Sequence, residues 1–105
     1  MSEFCLVLCT CPDMESARNI ARQSVEQGLA ACVNIIPGLE SVYQWQGELQ
    51  TDSEIQLVSK TYKPKLDALY KLVVGLHPYD EPEWLIIEIA DGSPTYLEWI
   101  KSCTK

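Results

Sequence analysis

From Ala31 to Thr61 the sequence reads as one long β-hairpin, and the length of that hairpin constrains the fold more than any other feature. Ala30-Ala31-Cys32-Val33-Asn34-Ile35-Ile36 is a β-rich run, Pro37-Gly38 either bends or ends it, and Ser41-Val42-Tyr43-Gln44-Trp45 resumes the alternation. Gln46-Gly47 supplies a turn and the polar Thr51-Asp52-Ser53 cluster reads as another. Glu54 to Thr61 then alternates Ile55, Leu57 and Ser59 against Gln56, Val58 and Lys60. A hairpin of this length exceeds the small sheet that 105 residues can build. Its outer half, Ser41 to Thr51, must protrude, and a protruding strand carrying Val42, Tyr43 and Trp45 on an open edge invites pairing with another chain.

The remaining elements fall on either side of this hairpin. Phe4 to Thr10 is short, continuously apolar and followed by Pro12, as suits a central strand covered on both faces. Asp13 offers an N-cap, and Ala17, Ile20, Ala21, Ser24 or Val25 recur at helical spacing up to Gly28. A second helix opens at Pro64, carries the stripe Leu66, Leu69, Tyr70, Val73 and Leu76, and closes near Gly75. The polar loop His77 to Glu83 leads to a strand over Trp84–Ala90, a turn over Asp91–Pro94 and a last helix over Thr95–Ser102. The order β-α-β-β-α-β makes this an α+β chain, a ferredoxin-like sandwich of two helices on one face of an antiparallel sheet, with an extra C-terminal helix. The length predicts a single domain over residues 1–105.

Charge and cysteine usage narrow the function. Eight Lys and Arg against fifteen Asp and Glu leave a net charge of −7 with no basic run, which argues against nucleic acid and against anionic membrane surfaces. No apolar stretch is long enough to span a bilayer, and the N-terminus lacks a signal-peptide layout, so the expectation is a cytoplasmic protein without membrane insertion. Cys5, Cys9, Cys11, Cys32 and Cys103 are odd in number, which favours free thiols and leaves thiol chemistry or soft-metal ligation open.

An ordered set of motifs through nearly the whole chain resembles the CutA divalent-cation tolerance proteins. They are Leu8-Cys9-Thr10 with Pro12-Asp13; Leu29-Ala30-Ala31-Cys32-Val33-Asn34 with Ile36-Pro37-Gly38; Ser41-Val42-Tyr43-Gln44-Trp45-Gln46-Gly47; Lys60-Thr61; His77-Pro78-Tyr79 with Pro82-Glu83; and Tyr96-Leu97 with Trp99-Ile100. The resemblance implies a homotrimer assembled through the long hairpins, an architecture shared with the PII signalling proteins. It also implies a role in tolerance of divalent and heavy metal ions, copper above all. In animals, relatives are associated with anchoring a membrane enzyme, so fold alone leaves function open.

Cys9 and Cys11 stand two apart at the end of a strand, on one face, where both sulfurs could meet one soft ion. Either they ligate or they are small core hydrophobes, the reading preferred for Cys5 and Cys32. The resemblance gives the position of Cys9 a part in metal binding, whereas Cys11 lies outside the family pattern. His77 is the only histidine and suits copper or zinc, with Asp80, Glu81 and Glu83 supplying oxygen ligands or an orienting carboxylate; equally, it can cap the second helix. Some relatives carry a second histidine just before the position of His77, where this chain has Leu76. Lys60, with Tyr79, Trp45 and Glu83, forms a candidate inter-subunit cleft for a small anion, or else a structural ion pair. Trp45, Trp84 and Trp99 read as interface and core anchors. No catalytic motif occurs, and no cofactor is obligatory. The leading expectation is therefore a cytosolic homotrimer that binds copper or another divalent ion through Cys9, Cys11, His77 and Glu83, and is not an enzyme. The alternative is a PII-like sensor or adaptor that takes a small anion or a partner protein at the Lys60 cleft.

Overall fold

The computed structural model of the protein describes residues 2–105. Four strands and three α-helices follow in the order β1 (Phe4–Cys11), α1 (Met14–Glu26), β2 (Cys32–Trp45), β3 (Glu48–Tyr62), α2 (Leu66–Leu76), β4 (Leu85–Glu88) and α3 (Pro94–Cys103). The sheet order is β2-β3-β1-β4, antiparallel throughout, which is the ferredoxin-like arrangement.

β1 lies in the middle because both its faces are apolar. Cys5, Val7, Cys9 and Cys11 point to one face and are buried, while Leu6 and Leu8 are half-buried on the other. The buried face packs with Leu57 of β3 against Ala17 and Ile20 of α1 and Leu69 and Val73 of α2, forming the core. α1 starts where the Asp13 carboxylate accepts the Ser16 N–H at 2.7 Å, and turns off at Gly28, whose φ of +70° suits glycine. Ser24, not Val25, occupies the inward position, its hydroxyl donating to the Ile20 carbonyl at 2.7 Å. Pro64 sits in a 3-10 turn over Lys63–Lys65 ahead of α2, and α2 runs one residue past Gly75.

The hairpin is continuous over Cys32–Tyr62, one residue along from the expected Ala31–Thr61. Pro37-Gly38 is a bulge between Ile36 and Leu39, with Gly38 at φ +82°. Gln46 and Gly47, at φ +51° and +80°, close the tip as a two-residue turn between the paired Trp45 and Glu48. Thr51-Asp52-Ser53 is not a turn: these residues pair in register with Val42, Ser41 and Glu40 and continue β3. Beyond Leu39 no third strand among the described residues joins the ribbon, and Val42, Trp45 and Leu49 are 59%, 62% and 71% exposed. The last strand is shorter than the expected Trp84–Ala90, and α3 is one residue longer at each end than Thr95–Ser102, with Pro94 in its first turn. α3 meets β3 through the face turned away from α1 and α2, where Lys60 and Tyr62 lie.

Candidate metal centre

The end of β1 and the end of α2 meet over the core. Alternation along β1 puts Cys9 and Cys11 on the helix-covered face, at 3% and 0% exposure. α2 closes at His77, whose backbone N–H bonds to the Val73 carbonyl at 2.8 Å. Pro78 follows, and a residue before proline is driven into extended geometry; His77 stands at φ −75°, ψ 138°. That turn carries the imidazole off the helix axis toward β1.

The ligand atoms of Cys9, Cys11 and His77 all lie within 4.8 Å of one another. Two sulfurs sharing a metal with bonds of ~2.3 Å stand about 3.8 Å apart around a tetrahedral ion and about 4.6 Å apart around a linear one, so the donor set fits an ion with little movement. The Cys9 thiol is pushed up by hydrogen bonding to Cys11 and by burial, while Cys11, as acceptor of that bond, is drawn down against the effect of burial. Cys11 is thus the sulfur that ionises first.

The imidazole is engaged at both nitrogens. The Tyr79 backbone N–H donates to Nδ1 at 3.0 Å, which places the ring hydrogen on Nε2, and Nε2 donates to the Thr10 carbonyl at 2.7 Å. The ring therefore does not cap α2 through its carbonyls; it ties the loop after α2 to the end of β1.

Beside this cluster opens a cleft of about 720 Å³ lined by Thr10, Tyr43, Trp45, Tyr79 and the carboxylates of Asp52, Glu54, Asp80, Glu81 and Glu83. Glu83 belongs to the cleft and not to the buried cluster. Partial burial, and then the charge of Glu54, push its carboxyl up. The Tyr79 hydroxyl donates to Glu54 at 3.3 Å, and burial followed by that carboxylate raises Tyr79 to about 12. Tyr43 donates to Asp52 across the hairpin.

Within one protomer Lys60 does not line this cleft with Tyr79 and Trp45. Its Nζ lies 3.3 Å from the Tyr96 hydroxyl and 5.7 Å from the centre of that ring, on α3. Among the described residues no Lys or Arg lines the cleft of the protomer, so the cleft attracts cations. Cys5 is buried, whereas Cys32, on the edge strand, is only half-buried. Trp84 packs on the core and meets Tyr70 edge-on at 5.1 Å, while Trp45 and Trp99 stay exposed. Asp52 and Glu54 were not singled out from the sequence; Gln50, Asp52, Glu54 and Gln56, spaced two apart, mark them as one polar face of a strand once that strand is recognised as continuous.

The family model for the CutA1 divalent ion tolerance protein matches residues 5–103. The divalent-cation tolerance protein CutA of Thermus thermophilus is 48% identical over 99 residues, covering 94% of this chain and 96% of that protein. The chloroplastic protein CutA of Arabidopsis thaliana is 45% identical over 100 residues; the chain covers 55% of its length, and spans little more than half of several of the relatives it matches. The crystal structure of CutA from Xylella fastidiosa superposes with a TM-score of 0.96 at 41% identity, over 99% of this chain and 100% of that one.

Proposed function

Since the chain belongs to the CutA1 divalent ion tolerance family, we propose that it serves metal tolerance by binding copper or a similar ion directly at the Cys9, Cys11 and His77 cluster. The observation that carries this reading is the convergence, within 4.8 Å, of two thiols from the end of β1 and the only imidazole of the chain from the end of α2. A core needs neither a histidine nor two adjoining thiols at such a place. Soft thiolate and imidazole donors select copper and zinc over magnesium or calcium. The carboxylates of the neighbouring cleft, Glu83 among them, raise the local concentration of cations next to the cluster. Family members are named for ion tolerance and not for a reaction, and this chain is read as a binding protein.

The working form is a homotrimer in the cytosol. The exposed outer hairpin and the apolar residues Ile36, Leu85 and Ile87 on the sheet face away from α1 and α2 support self-association, and the thiol donors require a reducing compartment. Light scattering at micromolar concentration is expected to give three times the chain mass, and a monomeric mass contradicts it. The metal reading is tested by titrating the fully reduced protein with Cu(I) and Cu(II) against a competing chelator, beside Cys9→Ser. Tight binding of one ion per chain, lost in the variant, is the expected result; binding too weak to compete, with no difference between the two proteins, refutes it.

A further inference from the structure

We propose that the ion captured by this chain is a soft monovalent cation, Cu(I), held linearly by the sulfurs of Cys9 and Cys11 alone, with His77 positioning the loop and not ligating. This rests on the metal reading above and specifies its ligands and its ion.

Three observations lead there. The first is which donors are free. His77 has no spare lone pair, since Nδ1 accepts from the Tyr79 N–H at 3.0 Å and Nε2 carries the hydrogen given to the Thr10 carbonyl at 2.7 Å. Recruiting either nitrogen breaks a hydrogen bond of a buried ring and strands its partner group, an expensive exchange. The two sulfurs are committed only to each other and to a long 3.8 Å contact from the Cys9 thiol to the Thr10 carbonyl, so binding an ion strands no backbone group.

The second is donor number. Zinc takes four ligands and Cu(II) favours a square-planar nitrogen and oxygen set, but the cluster holds no carboxylate and is closed by the core. Two thiolates complete the shell of a soft d10 ion, Cu(I) or Hg(II), and of these Cu(I) is the one the copper reading above calls for. The third is placement. Positions two apart on one strand face already bring the sulfurs within 4.8 Å of each other, close enough for one ion to bridge them, and burial at 3% and 0% exposure suits a weakly hydrated ion. Cys9-SH plus Cys11-SH plus Cu(I) gives a bis-thiolate carrying one negative charge and two released protons, with no change in oxidation state.

The test uses the whole reduced protein loaded with Cu(I) from a chelator, without oxygen. X-ray absorption at the copper edge is expected to show two sulfur neighbours and no nitrogen shell, and two protons are expected to leave per ion after correction for the chelator. Cys11→Ala should weaken Cu(I) binding at least about 100-fold, more than loss of a residue that merely orients a ligand, while His77→Gln, which keeps an amide for Thr10 and Tyr79, should stay within about tenfold. The spectrum of the unaltered protein decides the matter even if a variant fails to fold. A nitrogen shell, one proton per ion, or binding intact in Cys11→Ala and lost in His77→Gln would overturn the two-sulfur site and leave a Cys9–His77 site standing. Failure to bind either copper ion would remove the metal reading itself.

Discussion

The buried cluster and the acidic cleft adjoin each other, yet they offer cations opposite environments. The cluster has two thiols and an imidazole, nearly sealed from water and fixed by β1 and α2. The cleft has five carboxylates on a hairpin and a loop, open to solvent and without a cationic side chain. Soft donors in a dry place retain an ion, because their bonds are short and directional and no water competes. Hard donors in a wet place gather ions by field alone and release them as readily. Retention and collection are therefore assigned to separate regions, joined at Thr10 and Tyr79, which touch both.

The sharpest way to break this division is at equilibrium. Cys9→Ser should reduce copper affinity at least about 100-fold in competition titrations, whereas the double variant Glu54→Gln with Glu83→Gln should change it less than about tenfold. Equal losses would merge the two regions into one site. The next effect is kinetic. In stopped-flow mixing at low salt the same double variant should take up copper about tenfold more slowly, and the difference should vanish near 1 M salt, where the Debye length is about 3 Å. A salt-independent difference would give those carboxylates a direct bond to the ion.

The smallest effect is on stability. Glu83 holds its proton to higher pH in the folded chain than in the unfolded one, because of burial and the charge of Glu54. Stability is then lost as pH rises from the ordinary carboxylate range through the raised folded value, and the penalty is complete above it. Glu83→Gln should be slightly more stable than the parent at neutral pH without metal, by less than about 1 kcal/mol for a group only half-buried and partly screened by solvent. The two should converge below the ordinary carboxylate range. A variant less stable at neutral pH would show that the carboxylate is held by contacts and not opposed by them.

The fold was legible because its signals are local. The continuous apolar run of β1, the Asp13 cap, the stripe of α2 and the Gln46-Gly47 turn each needs only a few neighbouring residues. Thr51-Asp52-Ser53 misled because a ribbon exposed on both faces is polar, and its strand character comes from pairing with Glu40, Ser41 and Val42 on the partner strand. The site was legible in part. The two-residue spacing shows that Cys9 and Cys11 share a face, but the ring of His77 meets them only because the ends of β1 and α2 converge in space. That both imidazole nitrogens are taken depends on the Thr10 carbonyl and the Tyr79 N–H, backbone groups that no side-chain pattern announces. Within one protomer Lys60 meets Tyr96, a neighbour that nothing in the sequence announces because α3 brings it there through the fold.

The most direct test is a crystal of the reduced protein soaked with Cu(I), with anomalous diffraction collected at the copper edge. One peak per chain between the sulfurs of Cys9 and Cys11, with none among Asp52, Glu54 and Glu83, is the predicted result. A peak held by the cleft carboxylates with the thiols untouched, or no ordered copper at all, would contradict the assignment of metal capture to the buried cluster.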